Sequence, residues 1–414
     1  MVNIPLFIGL THIGQVYSYC WSQKINSAAV FDFNLNNLEK FKKKKFTIEE
    51  PELNKVKKIS NIKILNSEKE INKYKVIFLT LDTPLDLKSG KPKVYLIEKY
   101  FKKISKIKFN KKIKLIVTSQ IPVGFTKKLK NKYPNKKIDV LYMVDTLKMG
   151  EAQKRFLFPS QLIFGGQNSN LKFLKRFFKK FRCKKYLFSY EEAELIKISI
   201  NIFLFFSVSY ANLMDEYSRD KSLNFSRILN VLKNDKRIGK NAYLNPSISI
   251  SGGHLERDYF YLVNTKNSLI KKSMNNLMNI NSYRKTNLFA SKFQKLKKKI
   301  KILIIGLSYK KESFSIVNSI FFELLKNKKL EIFYYDDKYK DIKNKYFKKI
   351  DKLKNLNDFK YIIFNYGSNK TIQQINKNTK NNNNLKIINL STERKKIFKE
   401  NNIEYFDKEN INFA

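Results

Sequence analysis

The chain has 414 residues, 43% of them hydrophobic and 14% aromatic, so it is long and apolar enough to bury the cores of two or three domains. Its 84 Lys and Arg residues against 35 Asp and Glu residues give a formal net charge of +49. The basic residues are scattered along the whole length, which argues against nucleic acid as the main partner. The two cysteines, Cys20 and Cys183, lack metal-ligand spacing, and the first residues lack the features of a secretory signal, so we expect a cytoplasmic protein without a metal site.

Short apolar runs separated by longer segments that can form helices make up the first part of the chain. These runs are residues 6–10, 28–33, 76–81 and 115–118. Such alternation predicts an α/β unit with a parallel sheet.

A long helix is expected from residue 191 to about residue 217, and the chain stays mainly helical to about residue 280. Residues 198–214 approach the length of a membrane span, but Asn and Ser residues interrupt them, so we expect a buried helix and no membrane span. Polar residues follow one narrow face of this helix: Glu194, Lys197, Asn201, Asn212 and Asp215. A buried polar stripe needs internal partners, which are either protein groups or a polar ligand.

The last part of the chain repeats the α/β pattern. Its predicted strands are residues 302–306, 330–335, 361–364 and 385–390, and residues 381–384 are expected to form a surface loop. The glycine turn at Gly306 is similar in sequence to the one at Gly9, as in two nucleotide-binding domains of one protein.

The first glycine turn, Gly9-Leu10-Thr11-His12-Ile13-Gly14, follows a strand and opens a predicted helix. A dinucleotide fold sets a pyrophosphate against helix N-terminal amides at this place. Thr11 stands where the motif has its central glycine, and an ordinary strand-to-helix turn is the alternative. Asp32, at the end of the second strand, favours the dinucleotide interpretation, because a carboxylate there accepts ribose hydroxyl protons and repels a 2′-phosphate. NAD is therefore expected rather than NADP.

A Ser- and Gly-containing loop at residues 244–258 holds His254, which together with His12 makes up the histidine content of the chain. An imidazole exchanges protons near neutral pH, so both segments are candidates for chemistry.

Taken in order, these segments resemble the UDP-glucose/GDP-mannose dehydrogenase family of nucleotide-sugar 6-dehydrogenases. The matching motifs are Gly9 to Gly14 with Asp32, Glu50-Pro51-Glu52-Leu53, Thr83-Pro84, Ser119 to Gly124, Leu147 to Ala152, Ala193-Glu194 with Lys197 and Asn201, Asp235 to Gly239, the loop to Asp258, and Gly306 to Lys310.

The resemblance implies two Rossmann-like parallel-sheet domains joined by a long central helix. Residues 1–190 would be an NAD-binding domain, 191–290 a helical domain forming a homodimer, and 291–414 a domain binding the nucleotide sugar. The implied reaction is the oxidation of a sugar hydroxymethyl group to a carboxylate with two NAD, through a cysteine thioester. Such a reaction commonly serves surface polysaccharide biosynthesis.

The resemblance also implies roles for individual residues. The expected cofactor-binding residues are Gly9, Thr11, His12, Ile13, Gly14, Asp32, Thr83, Pro84, Ser119 and Gln120. The expected catalytic residues are Lys197, Asn201, Asp145, His254 and Asp258, and the expected substrate-binding residues are Arg237, Ser247, Ser249, Gly252, Arg257 and Lys310.

The nucleophile of the family is missing from this sequence. The ungapped match places His254 at the cysteine, and a shift of one residue places Leu255 there. Further departures are Gln120 for a threonine, Asp145 for a glutamate and Val317 for an arginine. The sequence therefore leaves four functions open. Two are enzymatic: an oxidation without a covalent intermediate, with His254 or Asp258 as the general base, and a single oxidation to the aldehyde. The other two are a non-catalytic subunit that binds NAD and a nucleotide sugar, and a binder of anionic surfaces.

Overall fold

The computed structural model describes residues 4–44, 50, 53, 61–86, 91–148, 150–251, 253–308, 316, 319–337, 346–379, 384–390 and 403–405. The side chains at positions 253, 254, 288 and 403–405 lie outside the description, as does the sequence motif residue Lys310. The chain divides into two compact units, residues 1–201 and residues 202–414.

The first unit is built on an eight-stranded sheet in the order β3-β2-β1-β4-β5-β6-β7-β8. Its strands are β1 (Leu6–Ile8), β2 (Ala28–Phe31), β3 (Ile62–Ile64), β4 (Val76–Leu79), β5 (Ile113–Val117), β6 (Ile138–Met143), β7 (Gln161–Gly165) and β8 (Lys184–Phe188). All neighbouring strands are parallel except β6 and β7, which are antiparallel. The order reverses between β1 and β4, which is where open α/β sheets bind ligands, beyond the carboxyl ends of the strands.

Helices cover both faces of this sheet: α1 (His12–Ile25), α2 (Leu35–Lys42), α3 (Tyr95–Ser105), α4 (Phe125–Lys132), α5 (Ala152–Leu157) and α6 (Leu171–Phe177). Successive strand residues point to opposite faces, so one core contains Leu6 and Ile8 and the other contains Phe7. The second core is aromatic, with Trp21 of α1 between Phe177 and Phe181. Continuous apolar strands of this kind are typical of a parallel sheet buried on both faces.

The long helix α7 (Tyr190–Asp220) has the expected type and length. It is the one helix in the described ranges that is long and apolar enough to pass for a membrane span, and 39% of its most apolar window is buried. The buried face carries the polar stripe, whereas large apolar side chains are exposed on another face, including Phe203 and Tyr217. The expectation of a buried helix is met on one face only.

The second unit contains helices α8 (Phe225–Asn234), α9 (Gly253–Val263) and α10 (Ser268–Tyr283), followed by a six-stranded parallel sheet in the order β11-β10-β9-β12-β13-β14. The strands are β9 (Ile300–Ile305), β10 (Leu330–Tyr335), β11 (Lys348–Lys349), β12 (Tyr361–Phe364), β13 (Lys386–Asn389) and β14 (Ile403–Tyr405), and α11 (Asn369–Asn378) follows β12. The predicted class, two Rossmann-like α/β domains joined by a long helix, is confirmed. Sequence patterns missed β3, β6, β7 and β8 in the first unit and β11 and β14 in the second, and three of these six strands, β3, β11 and β14, are only two or three residues long.

Candidate functional site

The first glycine turn has the close packing that a dinucleotide turn requires. Gly9 has φ of +101°, a conformation that side chains disfavour. A Cβ atom on Gly14 would lie 1.8 Å from the carbonyl oxygen of Gly9, so α1 approaches the end of β1 more closely than any other residue would permit. The turn therefore suits a bound pyrophosphate in its backbone geometry.

Asp32 lies at the end of β2, as predicted, and is fully buried. Its carboxylate accepts hydrogen bonds from Leu10 N at 2.7 Å and from the hydroxyl of Tyr100 at 2.5 Å. It also accepts from Asn34 N at 2.8 Å and from Asn37 Nδ2 at 3.1 Å. In this conformation the acid fixes the glycine turn to the sheet, and four protein donors already use its oxygens.

A second carboxylate lies at the N-terminus of α1. His12 N donates to Asp82 Oδ2 at 2.8 Å, and Asp82 N donates to Thr11 Oγ1 at 2.9 Å. The Thr11 hydroxyl in turn donates to Thr80 O at 3.1 Å. Sequence patterns drew attention to the neighbouring Thr83-Pro84 pair but missed Asp82, which follows β4 at the point where the strand order reverses.

The imidazole of His12 is buried beside Glu50, with Nε2 and Oε1 separated by 2.9 Å. Glu50 also accepts from Gly150 N and Ala152 N, at 3.1 and 3.2 Å, and so caps α5. Burial opposes the charged form of the imidazole, but the hydrogen bond to Glu50 and the charges of Asp82 and Asp145 raise the pKa of His12. The histidine therefore lies in an acidic cluster that favours its charged form.

Asp145 and Lys197, predicted from separate motifs, lie in the same environment. Burial raises the pKa of Asp145, and the charge of Lys197 partly opposes that rise. The hydroxyl of Tyr17, on α1, donates to Asp145 Oδ1 at 3.2 Å. Lys197 and Asn201 are both buried on α7. The structure thus brings an acid with raised proton affinity and an ammonium group together beside the helix that follows the glycine turn.

The remaining predicted cofactor residues lie on loops after β4 and β5. Thr83 is buried and donates to Gln120 O at 2.7 Å, which ties the two loops together, while Pro84 is exposed. The Ser119 hydroxyl is buried and has no hydrogen-bond partner among the described residues. An orphan hydroxyl in this loop fits a site that completes its hydrogen bonds with a ligand.

The polar stripe on α7 is in large part structural. Glu194 accepts from Gly124 N at 2.5 Å and from Thr126 N at 2.8 Å, so it caps α4. Asn212 Oδ1 accepts from Ser247 N at 2.7 Å. At Glu194 and Asn212, protein groups therefore supply the hydrogen-bond partners that a buried polar side chain requires.

Besides Asn212, two further side chains hold the Ser- and Gly-containing loop in the second unit. Asn281 accepts from Ile250 N at 2.6 Å and donates to Ile250 O at 3.1 Å. Arg284 donates to Ser247 O at 2.9 Å and to Asp215 Oδ2 at 2.9 Å, and it also pairs with Glu216. Neither Asn281 nor Arg284 was singled out from sequence, because they lie 31 and 37 residues along the chain from the loop residues Ile250 and Ser247 that they contact.

The predicted substrate residues differ in exposure. Ser249 Oγ and Ser251 Oγ are 3.1 Å apart within the loop. The loop leads into α9, where His254 has a helical backbone while its side chain lies outside the described part, and Arg257 and Asp258 are buried. Arg237 is exposed over 90% of its side chain and pairs with Asp235 at 2.6 Å. Gly252 and Lys310 lie outside the described residues.

Neither cysteine has the properties of a nucleophile. Cys20 is fully buried in the aromatic core on α1, and burial raises its pKa well above the usual range. Burial also raises the pKa of Cys183. Both thiols belong to the first unit, whereas the Ser- and Gly-containing loop belongs to the second.

The second glycine turn repeats the arrangement of the first. Gly306 has φ of +82°, and Leu307 N donates to Asp336 Oδ2 at 3.0 Å. The hydroxyl of Tyr366 donates to the same carboxylate oxygen at 2.6 Å. A glycine, an acid at the end of the next strand and a tyrosine thus recur in both units. The fold and the first turn define an α/β protein of the dinucleotide-binding class.

Comparison with known proteins places the chain within that class. Residues 4–182 match the NAD-binding domain of the UDP-glucose/GDP-mannose dehydrogenase family, and residues 191–284 match the central domain of the same family. The chain belongs to this family, and NAD is the cofactor that its N-terminal domain indicates. Within the described residues, no group of three His, Cys, Asp or Glu side chains is arranged to hold a metal ion.

Curated relatives agree with this assignment, and a solved structure shares the fold. A UDP-glucose 6-dehydrogenase of Campylobacter jejuni is 33% identical over 278 residues, which are 64% of this chain and 66% of that protein. A UDP-glucose 6-dehydrogenase of Streptococcus pneumoniae is 28% identical over 37% of this chain and 40% of its own length. The structure of a UDP-glucose dehydrogenase from Pyrobaculum islandicum superposes with a TM-score of 0.79 at 17% identity and covers 95% of this chain and 96% of that one.

Proposed function

We propose that this protein is an NAD-dependent oxidoreductase that oxidises the C6 hydroxymethyl group of a nucleotide sugar of the UDP-sugar type, in the cytoplasm, for surface polysaccharide biosynthesis. We propose that residues 1–190 bind the cofactor, residues 191–290 form the dimer and residues 291–414 bind the nucleotide sugar. The observation that carries it is the cluster of Asp145, Lys197 and the first glycine turn in a single unit.

The cofactor would be held by the Gly9–Gly14 turn and the loops at Thr83 and Ser119. Bound NAD would accept a hydride from the sugar carbon. The protein must take the proton of the hydroxyl group on the carbon from which that hydride departs. Asp145 suits proton acceptance, since burial raises its pKa. Lys197 suits the stabilisation of a developing alkoxide, because an ammonium group in a buried site interacts strongly with negative charge.

A route without a cysteine thioester follows from the chemistry of the two thiols. A covalent thiohemiacetal needs a thiolate, and burial opposes the ionisation of both Cys20 and Cys183. We propose that the second oxidation, where it occurs, uses an aldehyde hydrate, with His254 or Asp258 as the base that removes its proton. Arg257, Ser247 and Ser249 would bind the substrate near this base.

Counting the NADH released per sugar consumed tests the proposal. Two NADH per sugar are expected for oxidation to the acid, and one for a reaction that stops at the aldehyde. Lys197→Met and Asp145→Asn are each expected to lower kcat at least 100-fold. Lys63→Met is the matched control, because this lysine is exposed on β3 and pairs with Glu70 at 3.6 Å. Undiminished turnover by a His254→Ala variant would show that His254 takes no part in the reaction.

The loss of the cysteine favours a second candidate function, a non-catalytic subunit. Such a subunit would bind NAD and a nucleotide sugar, and each ligand would raise the melting temperature by mass action. No cofactor would be reduced with any sugar in a panel of UDP- and GDP-sugars. This pattern, with normal turnover by a cysteine-containing relative in the same assay, would favour the second candidate over the first.

The homodimer is a further part of the proposal, and the exposed apolar side of α7 supports it. Phe203, Phe206, Tyr210, Leu213 and Tyr217 are each at least 45% exposed. They recur at intervals of 3, 4, 3 and 4 residues, the spacing of a helix-pairing seam. An exposed apolar row of this length is unusual on a monomer and marks an interaction surface.

Light scattering after size-exclusion chromatography tests the dimer. Phe206→Glu places a charge in the centre of the seam and is expected to yield monomers. Lys221→Glu, beyond the seam at the end of the helix, is the control and is expected to stay dimeric. A Phe206→Glu protein of dimeric mass would contradict the proposed interface.

A further inference from the structure

Asp82 occupies the position that an anionic ligand would take. The first N–H groups of an α-helix have no acceptor within the helix, and the helix dipole attracts negative charge to them. In α1 one of these donors, His12 N, already binds Asp82 Oδ2 at 2.8 Å. The carboxylate comes from the loop after β4, and it lies where the strand order reverses beside β1.

The backbone of Asp82 is fixed by the turn itself, whereas its side chain is half-buried. Asp82 N donates to Thr11 Oγ1 at 2.9 Å, and Thr11 donates to Thr80 O at 3.1 Å. This chain of hydrogen bonds holds the loop against the start of α1. The residue is partly exposed, and rotation of its side chain away from His12 N would leave the hydrogen bonds from Asp82 N to Thr11 and from Thr11 to Thr80 in place.

We propose that Asp82 is an internal competitor of the cofactor pyrophosphate and thereby sets the affinity for the dinucleotide. The proposal rests on NAD binding at the first glycine turn. A pyrophosphate carries negative charge and needs the same N-terminal amides. Two anions repel each other at one helix end, so the carboxylate must leave before the pyrophosphate binds, and the free energy of its hydrogen bond is subtracted from the affinity.

Substitution at Asp82 separates this role from that of a simple helix cap. Asp82→Ala removes the competitor and is expected to tighten ADP-ribose binding at least tenfold, which is about 1.4 kcal/mol at 25 °C. Asp82→Asn keeps the shape and removes the charge, so it is expected to give an intermediate gain. Asp86→Ala is the matched control, because Asp86 lies in the same loop and pairs with Lys93 at 3.3 Å.

Adenosine serves as the second probe in isothermal titration of the full chain. It lacks a pyrophosphate, so its Kd is expected to change less than twofold in Asp82→Ala. An equal gain for adenosine and ADP-ribose would overturn the proposal, since the effect would then lie outside the pyrophosphate position. Unchanged or weaker ADP-ribose binding in both Asp82 variants would overturn it as well, because a structural cap predicts that result.

If a variant is less stable, melting temperatures with and without ADP-ribose still distinguish a competitor of the pyrophosphate from a simple helix cap. Loss of a cap lowers the melting temperature of the free protein, whereas the increase caused by ADP-ribose is expected to be larger in Asp82→Ala than in the wild type. None of these measurements depends on catalytic turnover. Failure of dehydrogenase activity would therefore leave this result intact, and failure of tighter binding would leave the activity intact.

Discussion

Replacing Asn281 with alanine should release the Ser- and Gly-containing loop of the second unit. Asn281 is 2% exposed and bonds both polar groups of Ile250, at 2.6 and 3.1 Å. Ile250 is itself 6% exposed, so its N–H and C=O would be left in a buried environment without these partners. Stranding a buried polar group costs about 1–3 kcal/mol, and entry of water would offset part of the loss. We expect the free energy of local opening to fall by about 2–4 kcal/mol.

Hydrogen–deuterium exchange measures this change directly. Each 1.4 kcal/mol is a factor of ten, so the amide of Ile250 is expected to exchange roughly 30 to 1,000 times faster in Asn281→Ala. The control is Asn264→Ala, because Asn264 is exposed and its side chain donates to Phe260 O at 2.7 Å, four residues earlier in the chain. Exchange at residues 247–251 within threefold of the wild type would refute the view that Asn281 holds the loop.

Three further substitutions test other parts of the structure. Arg284→Met leaves the buried carboxylate of Asp215 without its 2.9 Å partner and is expected to destabilise the second unit by about 3 kcal/mol in urea denaturation, and an unchanged midpoint would argue against this pair. Gly14→Ala sets a Cβ atom 1.8 Å from the oxygen of Gly9, so binding of NADH, followed by its fluorescence, should be lost, and a Kd equal to wild type would be inconsistent with the turn described. Burial raises the pKa of Glu194 from 4.5 to about 7, so stability from this group is fully present below pH 4.5 and falls by about 3 kcal/mol as pH rises through 7. Glu194→Gln should flatten that pH profile of melting temperature, and an unaltered slope would contradict it.

The sequence predicted the fold class because the signals concerned are local. Apolar runs before Gly9 and Gly306, and the long apolar helix, depend on neighbours in the chain and predict elements directly. The antiparallel pairing of β6 with β7 was not predicted, because pairing direction depends on tertiary contacts that a short apolar run does not encode.

The candidate site was predictable in its parts but not in its contacts. Asp145 and Lys197 were identified through motifs, and the structure brings them together. The engagement of Asp32 by Tyr100, 68 residues away, could not be read from either local segment. Asp82 was missed for a different reason: its neighbours Thr83 and Pro84 carried the motif, and only the fold shows that its side chain turns back to α1.

The repeated glycine, acid and tyrosine arrangement means that the glycine turns of both sheets are held by the protein's own groups. Asp32 and Asp336 fasten the backbone after each glycine to the neighbouring strand with protein groups alone. We therefore expect little ordering entropy to oppose the binding of NAD at the first turn. The side chains around each turn can change without loss of these hydrogen bonds, so the two turns can differ in the ligands they accept.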